Sequence, residues 1–304
     1  MQLPVITKVD VCIYHSPCSD GFGAAWACWK RFGDSVEFLP GIYAENREDE
    51  AYWLEKVRDK HVVVGDFSFE RELTEKLHAA AASLTVIDHH ESAAKKLEGL
   101  DYCYYSGEHS GAILMWKACF ATKGKIPHTH FGPILPPTLL HFVEDEDLWT
   151  WKLGSAHEIC AYIKSLPFDF EAWNRLAHDL EELKGGIRIR ELGAAMLSKQ
   201  EAIANSILDG AEEWSFCGHK ILAANCPSIL GSLVCEMLSK LGEFPFVGAY
   251  RISKGKVTWS LRSTPETEDV SAIARCFGGD GHTEAAGASM PVTEVDFINR
   301  IVRP

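Results

Sequence analysis

The chain contains no run of about 18 consecutive uncharged apolar residues, so no membrane-crossing helix is expected. The opening residues Met1-Gln2-Leu3-Pro4 carry no basic region ahead of an apolar core, so no secretory leader is expected. The reading is of a soluble protein in the cytoplasm or another reducing intracellular compartment. Cys-x-x-Cys spacing is also missing. Of the ten cysteines, Cys12, Cys28, Cys119 and Cys235 lie inside apolar stretches, which reads as small core residues rather than a disulfide frame or a zinc site. Positive charge is scarce: 30 Lys and Arg against 43 Asp and Glu leave a formal net charge of -13. A protein that coats duplex nucleic acid must neutralise many phosphates, so that class is excluded, whereas a short anionic substrate held by metals is not.

What is present is a set of apolar runs that end in metal-ligand residue types. Val11-Cys12-Ile13-Tyr14 runs into His15, Val62-Val63-Val64-Gly65 into Asp66, and Thr85-Val86-Ile87 into Asp88-His89-His90. In an open parallel sheet the carboxyl ends of strands lie side by side, so these side chains are expected to gather in one crevice. Helices are expected at Asp20 to Phe32, Glu48 to Asp59 and Glu70 to Ala82, and strands at Val36 to Leu39 and Leu84 to Ile87. This alternation predicts a doubly wound parallel α/β sheet. The length of 304 residues suggests two domains. The boundaries expected are a catalytic domain over 1–186, a connecting helix over 187–208 and a smaller α/β substrate-binding domain over 209–304. Gly185-Gly186 reads as a break in a helical stretch from Phe170 to Leu208, and Thr122 to Pro137 as a loop in which His128 and His130 are solvated.

His15, Asp20, Asp66, His89 and one of Asp145 or Asp147 form a mixed carboxylate and imidazole set. Such donors suit manganese or magnesium better than calcium or a structural zinc. Asp66 is the natural bridge between two ions. Asp88 reads as a group that orients a ligand or accepts a proton, and His90 as one facing substrate. Asp20 also has a plainer reading as the helix N-cap. In the second domain, Gly278, Gly279 and Gly281 precede His282 and a short small-residue helix, a stretch in which backbone N–H groups can approach an anion. Upstream, Arg262 and Ser263 end a strand with groups suited to phosphate. Phe22, Tyr105 and Trp149, aromatic residues able to stack on bases, read as core.

The Asp88-His89-His90 triplet resembles the signature of the DHH phosphoesterase superfamily. So do the strand ending at Asp66, the opening His15-Ser16-Pro17-Cys18-Ser19-Asp20-Gly21 and the ending Gly278-Gly279-Asp280-Gly281-His282-Thr283-Glu284-Ala285-Ala286-Gly287. The resemblance is closest to the branch with a DHH-associated carboxy-terminal domain: single-strand exonucleases, oligoribonucleases and cyclic-dinucleotide phosphodiesterases. It covers nearly the whole chain, in order.

The resemblance implies two manganese ions, with His15 and Asp66 on one and Asp20, Asp66, His89 and Asp145 on the other; Asp147 is held in reserve. It implies hydrolysis of short single-stranded oligonucleotides or dinucleotides by metal-held hydroxide, with Arg262, Ser263, His282 and the backbone of Gly278, Gly279 and Gly281 gripping phosphate. No membrane partner is implied, and a homodimer is left open.

Cys18 stands where the family usually has a carboxylate, a poorer partner for hard ions, which weakens one site or admits a softer ion. Asp280 replaces a glycine. Competing readings are a degenerate member that binds nucleotides or a partner without turnover, and a phosphomonoesterase.

Overall fold

A computed structural model of the chain describes residues 3–42, 49–121, 128–129, 132–133, 135–264 and 267–303. His130, much of the expected loop from Thr122 to Pro137, part of the acidic stretch from Glu45 to Glu55 and the side chain of Asp280 lie outside what is described. The chain divides into two compact units, Met1–Met196 and Leu197–Pro304. No helix among the described residues is long and apolar enough to cross a membrane.

The first unit is built on five strands, β1 (Val11–His15), β2 (Glu37–Gly41), β3 (His61–Gly65), β4 (Ser83–Asp88) and β5 (Cys103–Tyr105). They form one parallel sheet in the order β2-β1-β3-β4-β5. Parallel strands covered on both faces need apolar residues on both, which is why the central runs do not alternate. Val11, Ile13, Val62, Val64 and Val86 pack in one core with Trp53, Leu73 and Leu77, from the helices α2 (Glu50–Val57) and α3 (Arg71–Ala80). Cys12, Val63 and Ile87 pack in another core with Ala24, Trp26, Ile113 and Met115. The last four belong to α1 (Ser19–Phe32) and α5 (Gly111–Phe120). Between these, α4 (Glu91–Lys96) follows β4.

β1 pairs with β2 on one side and β3 on the other, so the connections change direction between β1 and β3. In open α/β sheets that switch point is where ligands bind, outside the strands' carboxyl ends.

After a small pair of strands, β6 (His128–Thr129) and β7 (Gly132–Pro133), come α6 (Thr138–Asp147), α7 (Ala156–Ser165), α8 (Phe170–Glu181) and α9 (Leu183–Leu208). The break expected at Gly185-Gly186 falls at Glu182 instead, and both glycines lie inside α9. A Cβ on Gly185 would stand 2.2 Å from the Asp179 carbonyl oxygen, so that glycine serves a close approach to α8 rather than a break.

The second unit has an eight-stranded sheet in the order β12-β13-β11-β10-β9-β8-β15-β14. Its strands are β8 (Glu212–Phe216), β9 (His219–Asn225), β10 (Val247–Ser253), β11 (Lys256–Arg262), β12 (Asp280–His282), β13 (Ala285–Pro291), β14 (Val295–Asp296) and β15 (Ile301–Val302), with helices α10 (Gly231–Ser239) and α11 (Val270–Arg275). The short helix expected after the glycine-rich stretch is not there. Residues 280–282 pair antiparallel with 285–287, so this stretch is a β-hairpin and offers no helix amino terminus to an anion.

Candidate metal centre

Three strand ends deliver the core of the site. His15 is the last residue of β1, Asp88 the last of β4, and Asp66 follows β3 directly. Asp66 leaves its strand with φ 54°, a left-handed conformation that Asp tolerates better than most residues, and its N–H donates to Ile87 O at 3.0 Å. Its carboxylate meets both flanking strands: Oδ2 lies 3.4 Å from His15 Nδ1 and Oδ1 lies 3.1 Å from His89 Nε2.

Asp20 sits in the first turn of α1, whose N-cap residue is Cys18, so Asp20 does not cap its own helix. Its carboxylate accepts the N–H groups of Gly111 (2.6 Å) and Ala112 (3.0 Å) at the start of α5. A Cβ on residue 111 would stand 2.6 Å from Asp66 Cβ, so only glycine lets α5 begin this close.

The structure decides between the two acids of α6. Asp145 is buried and turned away: it accepts from Thr150 Oγ1, from Lys152 N (2.8 Å) and from Leu153 N (2.9 Å), closing the loop after the helix. Asp147, the reserve, is the one that reaches the group, with Oδ2 3.4 Å from His89 Nε2, which is also 3.8 Å from Asp20 Oδ2. The structure thus brings Asp147 to the group and not Asp145, the acid expected there. At about 100° per residue the two acids point to opposite sides of the helix, and sequence could not say which side faced inward.

Asp88 Oδ1 accepts from His89 N (2.7 Å), His90 N (3.1 Å) and His90 Nδ1 (2.8 Å). An ionised carboxylate only accepts, so the proton of this contact resides on His90 Nδ1. Cys18 Sγ joins His15 and Asp66 in a group whose ligand atoms lie within 4.8 Å of one another, and Asp20, His89 and Asp147 form another.

The electrostatics are those of a crowded anionic site. Burial, then repulsion from Asp147 and Asp66, pushes the Asp20 carboxyl well above the usual range. Burial is also the main cause that lifts Asp147 to about 6. For Asp66, burial acts upward but is outweighed by His15 and His89, which hold it well below the carboxylate range. For His89, burial favours the neutral ring but is outweighed by hydrogen bonding to Asp66 and by the charges of Asp147, Asp66 and Asp20, so its pKa is raised. In His90 burial is likewise overcome, mainly by Asp88, and the ring titrates at about 9.

In the second unit, Arg262 and His282 each pair with Ala285 of β13, from opposite sides. The two side chains thus share one row across three adjacent strands, with only a methyl between them. Arg262 Nη2 donates to Ser232 Oγ at 2.9 Å, and Ser263 Oγ donates to Thr283 O at 3.3 Å. The expectation that backbone N–H groups of the glycine stretch hold phosphate is corrected for two of them. Gly278 N donates to Arg275 O (3.1 Å) and Gly279 N to Ala274 O (3.0 Å), which close the end of α11. Gly281, with φ 150°, sits where a Cβ would meet Ala285 O at 2.4 Å, so it permits the hairpin's close strand contact. Phe22 is core, whereas Tyr105 and Trp149 are exposed.

No family model matches the chain. The uncharacterized protein R106 of Acanthamoeba polyphaga mimivirus is 30% identical over 300 residues, which cover 92% of this chain and 67% of that one. Among solved structures, RecJ of Thermus thermophilus in complex with Mn2+ aligns with a TM-score of 0.52 and 16% identity, over 93% of this chain and 49% of that one. Exonuclease RecJ bound to manganese aligns with a TM-score of 0.50 and 17% identity, over 93% and 86%. The chain belongs to one family with protein R106, and it shares the fold of the RecJ structures. The Asp88-His89-His90 triplet stands at the carboxyl ends of the parallel strands, with Asp66 between His15 and His89.

Proposed function

We propose that this chain is a DHH-type, metal-dependent phosphoesterase that hydrolyses phosphodiester bonds of short single-stranded oligonucleotides or dinucleotides, releasing mononucleotides. The observation that carries the reading is the shared carboxylate Asp66, in contact with His15 on one side and His89 on the other, at the mouth of a parallel sheet. The donors fit cations. Asp20 and Asp66 are 1% exposed, the carboxylates of Asp20, Asp66 and Asp147 converge on His89 Nε2 within 3.8 Å, and two of the three acids are raised by burial and mutual repulsion. A divalent ion relieves that repulsion.

His15 and Asp66 would hold one ion, and Asp20, Asp66, His89 and Asp147 a second, with manganese first in order and magnesium next. Bound there, such ions neutralise phosphoryl oxygens and make water nucleophilic near neutral pH. The chain's own residues do the rest. Asp88 fixes the His90 ring through Nδ1, which leaves Nε2 as the atom from which the imidazolium donates to an oxygen of the substrate phosphate. Burial of Asp20, Asp66 and His89 keeps bulk water from screening the site. In the second unit, Arg262, Ser263 and His282 would grip a neighbouring phosphate, with Arg262 steadied by Ser232.

The test is release of mononucleotide from a short 5′-phosphorylated RNA, a matching DNA and a linear dinucleotide, with and without manganese, by the parent chain and Asp66→Asn. Metal-dependent release that the substitution abolishes is the expected result, and the preferred substrate defines the activity further. A metal-loaded parent inert on these and on cyclic dinucleotides would leave a nucleotide-binding protein instead.

A further inference from the structure

Two ligand groups flank the Asp66 carboxylate, one reached through its 3.1 Å contact with His89, and they differ in chemical softness. One consists of Asp20, His89 and Asp147, the other of His15, Cys18 and Asp66. Around Asp66 the first side is three carboxylates and one imidazole, a donor set for hard ions that keep oxygen ligands. The second is a thiol, an imidazole and a carboxylate, the three-ligand pattern with one open position that zinc adopts in catalytic sites. Thiolate selects soft or borderline ions, and carboxylate does not.

One further feature sets the second side apart. Cys18 occupies the N-cap of α1, the position that Asp49, Ser110, Asp169 and Asp269 fill at other helices of this chain. Cysteine is not among the residues favoured at an N-cap, where Ser, Thr, Asn and Asp lead. A residue that breaks the local rule at the mouth of a site is expected to be kept for another purpose.

The geometry points to a mixed-metal centre: a thiophilic ion of the zinc type held by His15, Cys18 and Asp66, beside a hard ion of the manganese type held by Asp20, Asp66, His89 and Asp147. The inference rests on the metal-centre reading above and adds to it the identity of the ions. As the sulfur–metal bond forms, the thiol proton leaves to solvent.

The test uses the full chain, stripped of metal, with Cys18→Asp and Cys18→Ser. Both replacements are good N-caps, so both are expected to fold, which their melting temperatures check. Zinc outcompetes manganese at many sites, so the informative quantity is the difference between variants. Each protein receives one equivalent of zinc with manganese in excess, and bound metals are counted by mass spectrometry after dialysis. Cobalt titration reads the thiolate-to-metal charge-transfer band in the near ultraviolet.

The parent is expected to retain one zinc and one manganese and to show the band. Cys18→Asp is expected to lose the band and hold zinc against manganese at least ~10–100-fold less well, the loss that even an outer partner of a metal ligand brings. A parent that binds two ions with no band, or variants that retain zinc as the parent does, would overturn the mixed centre while leaving the metal-centre reading intact. A parent that binds no metal would overturn both.

Discussion

The two units present their polar groups in opposite ways. In the first, charged side chains are buried at the ends of parallel strands and placed by several elements at once: Asp20 by the amino terminus of α5, Asp66 by β1 and β4, His90 by Asp88. In the second, Arg262 and His282 lie on half-buried strand positions of a largely antiparallel edge, set opposite Ala285 by register, with Arg262 also held by Ser232. The contrast teaches that the first site gathers buried acids against their own repulsion, which a cation would relieve, whereas the second sets its groups out along a strand register.

Substitutions can break that comparison, and the largest effect belongs to the shared carboxylate. Asp66→Asn is expected to lower turnover by more than the ~10²–10³-fold typical of one electrostatic contact, because it serves both sides of the site. Single-turnover assays at saturating manganese measure this, and a loss under tenfold would remove Asp66 from its central place.

A pair of variants in α6 sharpens the point. Asp147→Asn is expected to reduce bound metal from two ions to one with little change in stability. Asp145→Asn is expected to keep both ions but lose about 1–3 kcal/mol of stability, since it weakens the acceptor of the Thr150, Lys152 and Leu153 bonds. Metal counting together with urea denaturation separates them, and the reverse pattern would restore Asp145 as the ligand.

Metal removal should then distinguish the units directly. At an ion concentration a hundred times its Kd, binding stabilises by about 2.7 kcal/mol. Chelation is therefore expected to speed amide hydrogen exchange about 100-fold in the strands that open with the first unit, with no change in β10 and β11. Equal loss in both units would mean that they unfold together.

The smallest effect is expected in the second unit. Arg262→Ala should raise KM about tenfold with kcat nearly unchanged, and Arg262→Lys should restore only part of it, because a bidentate fork is lost. A kcat defect of the same size would place Arg262 in the chemistry instead.

Much of the first unit was legible because its signal is local. Apolar runs of β-branched residues ending in His or Asp are read from spacing alone, and the alternation with helices leaves few topologies. The second unit hid more. Small residues such as Ala285 to Gly287 have weak preferences, so the glycine-rich stretch passed for a turn before a helix when it is a hairpin. Gly185-Gly186 passed for a break when the pair lies inside a helix, with Gly185 serving close packing.

By itself the sequence determined the donor types, the strand-end placement of His15, Asp66 and Asp88, and the thiol at position 18, because residue identity and period are written along the chain. Only tertiary structure decided that Asp147 and not Asp145 turns inward, that Asp20 serves α5 and not α1, and that Arg262 and His282 fall into one row. Each depends on which face of an element meets its neighbour, and that is settled by packing between segments far apart in sequence.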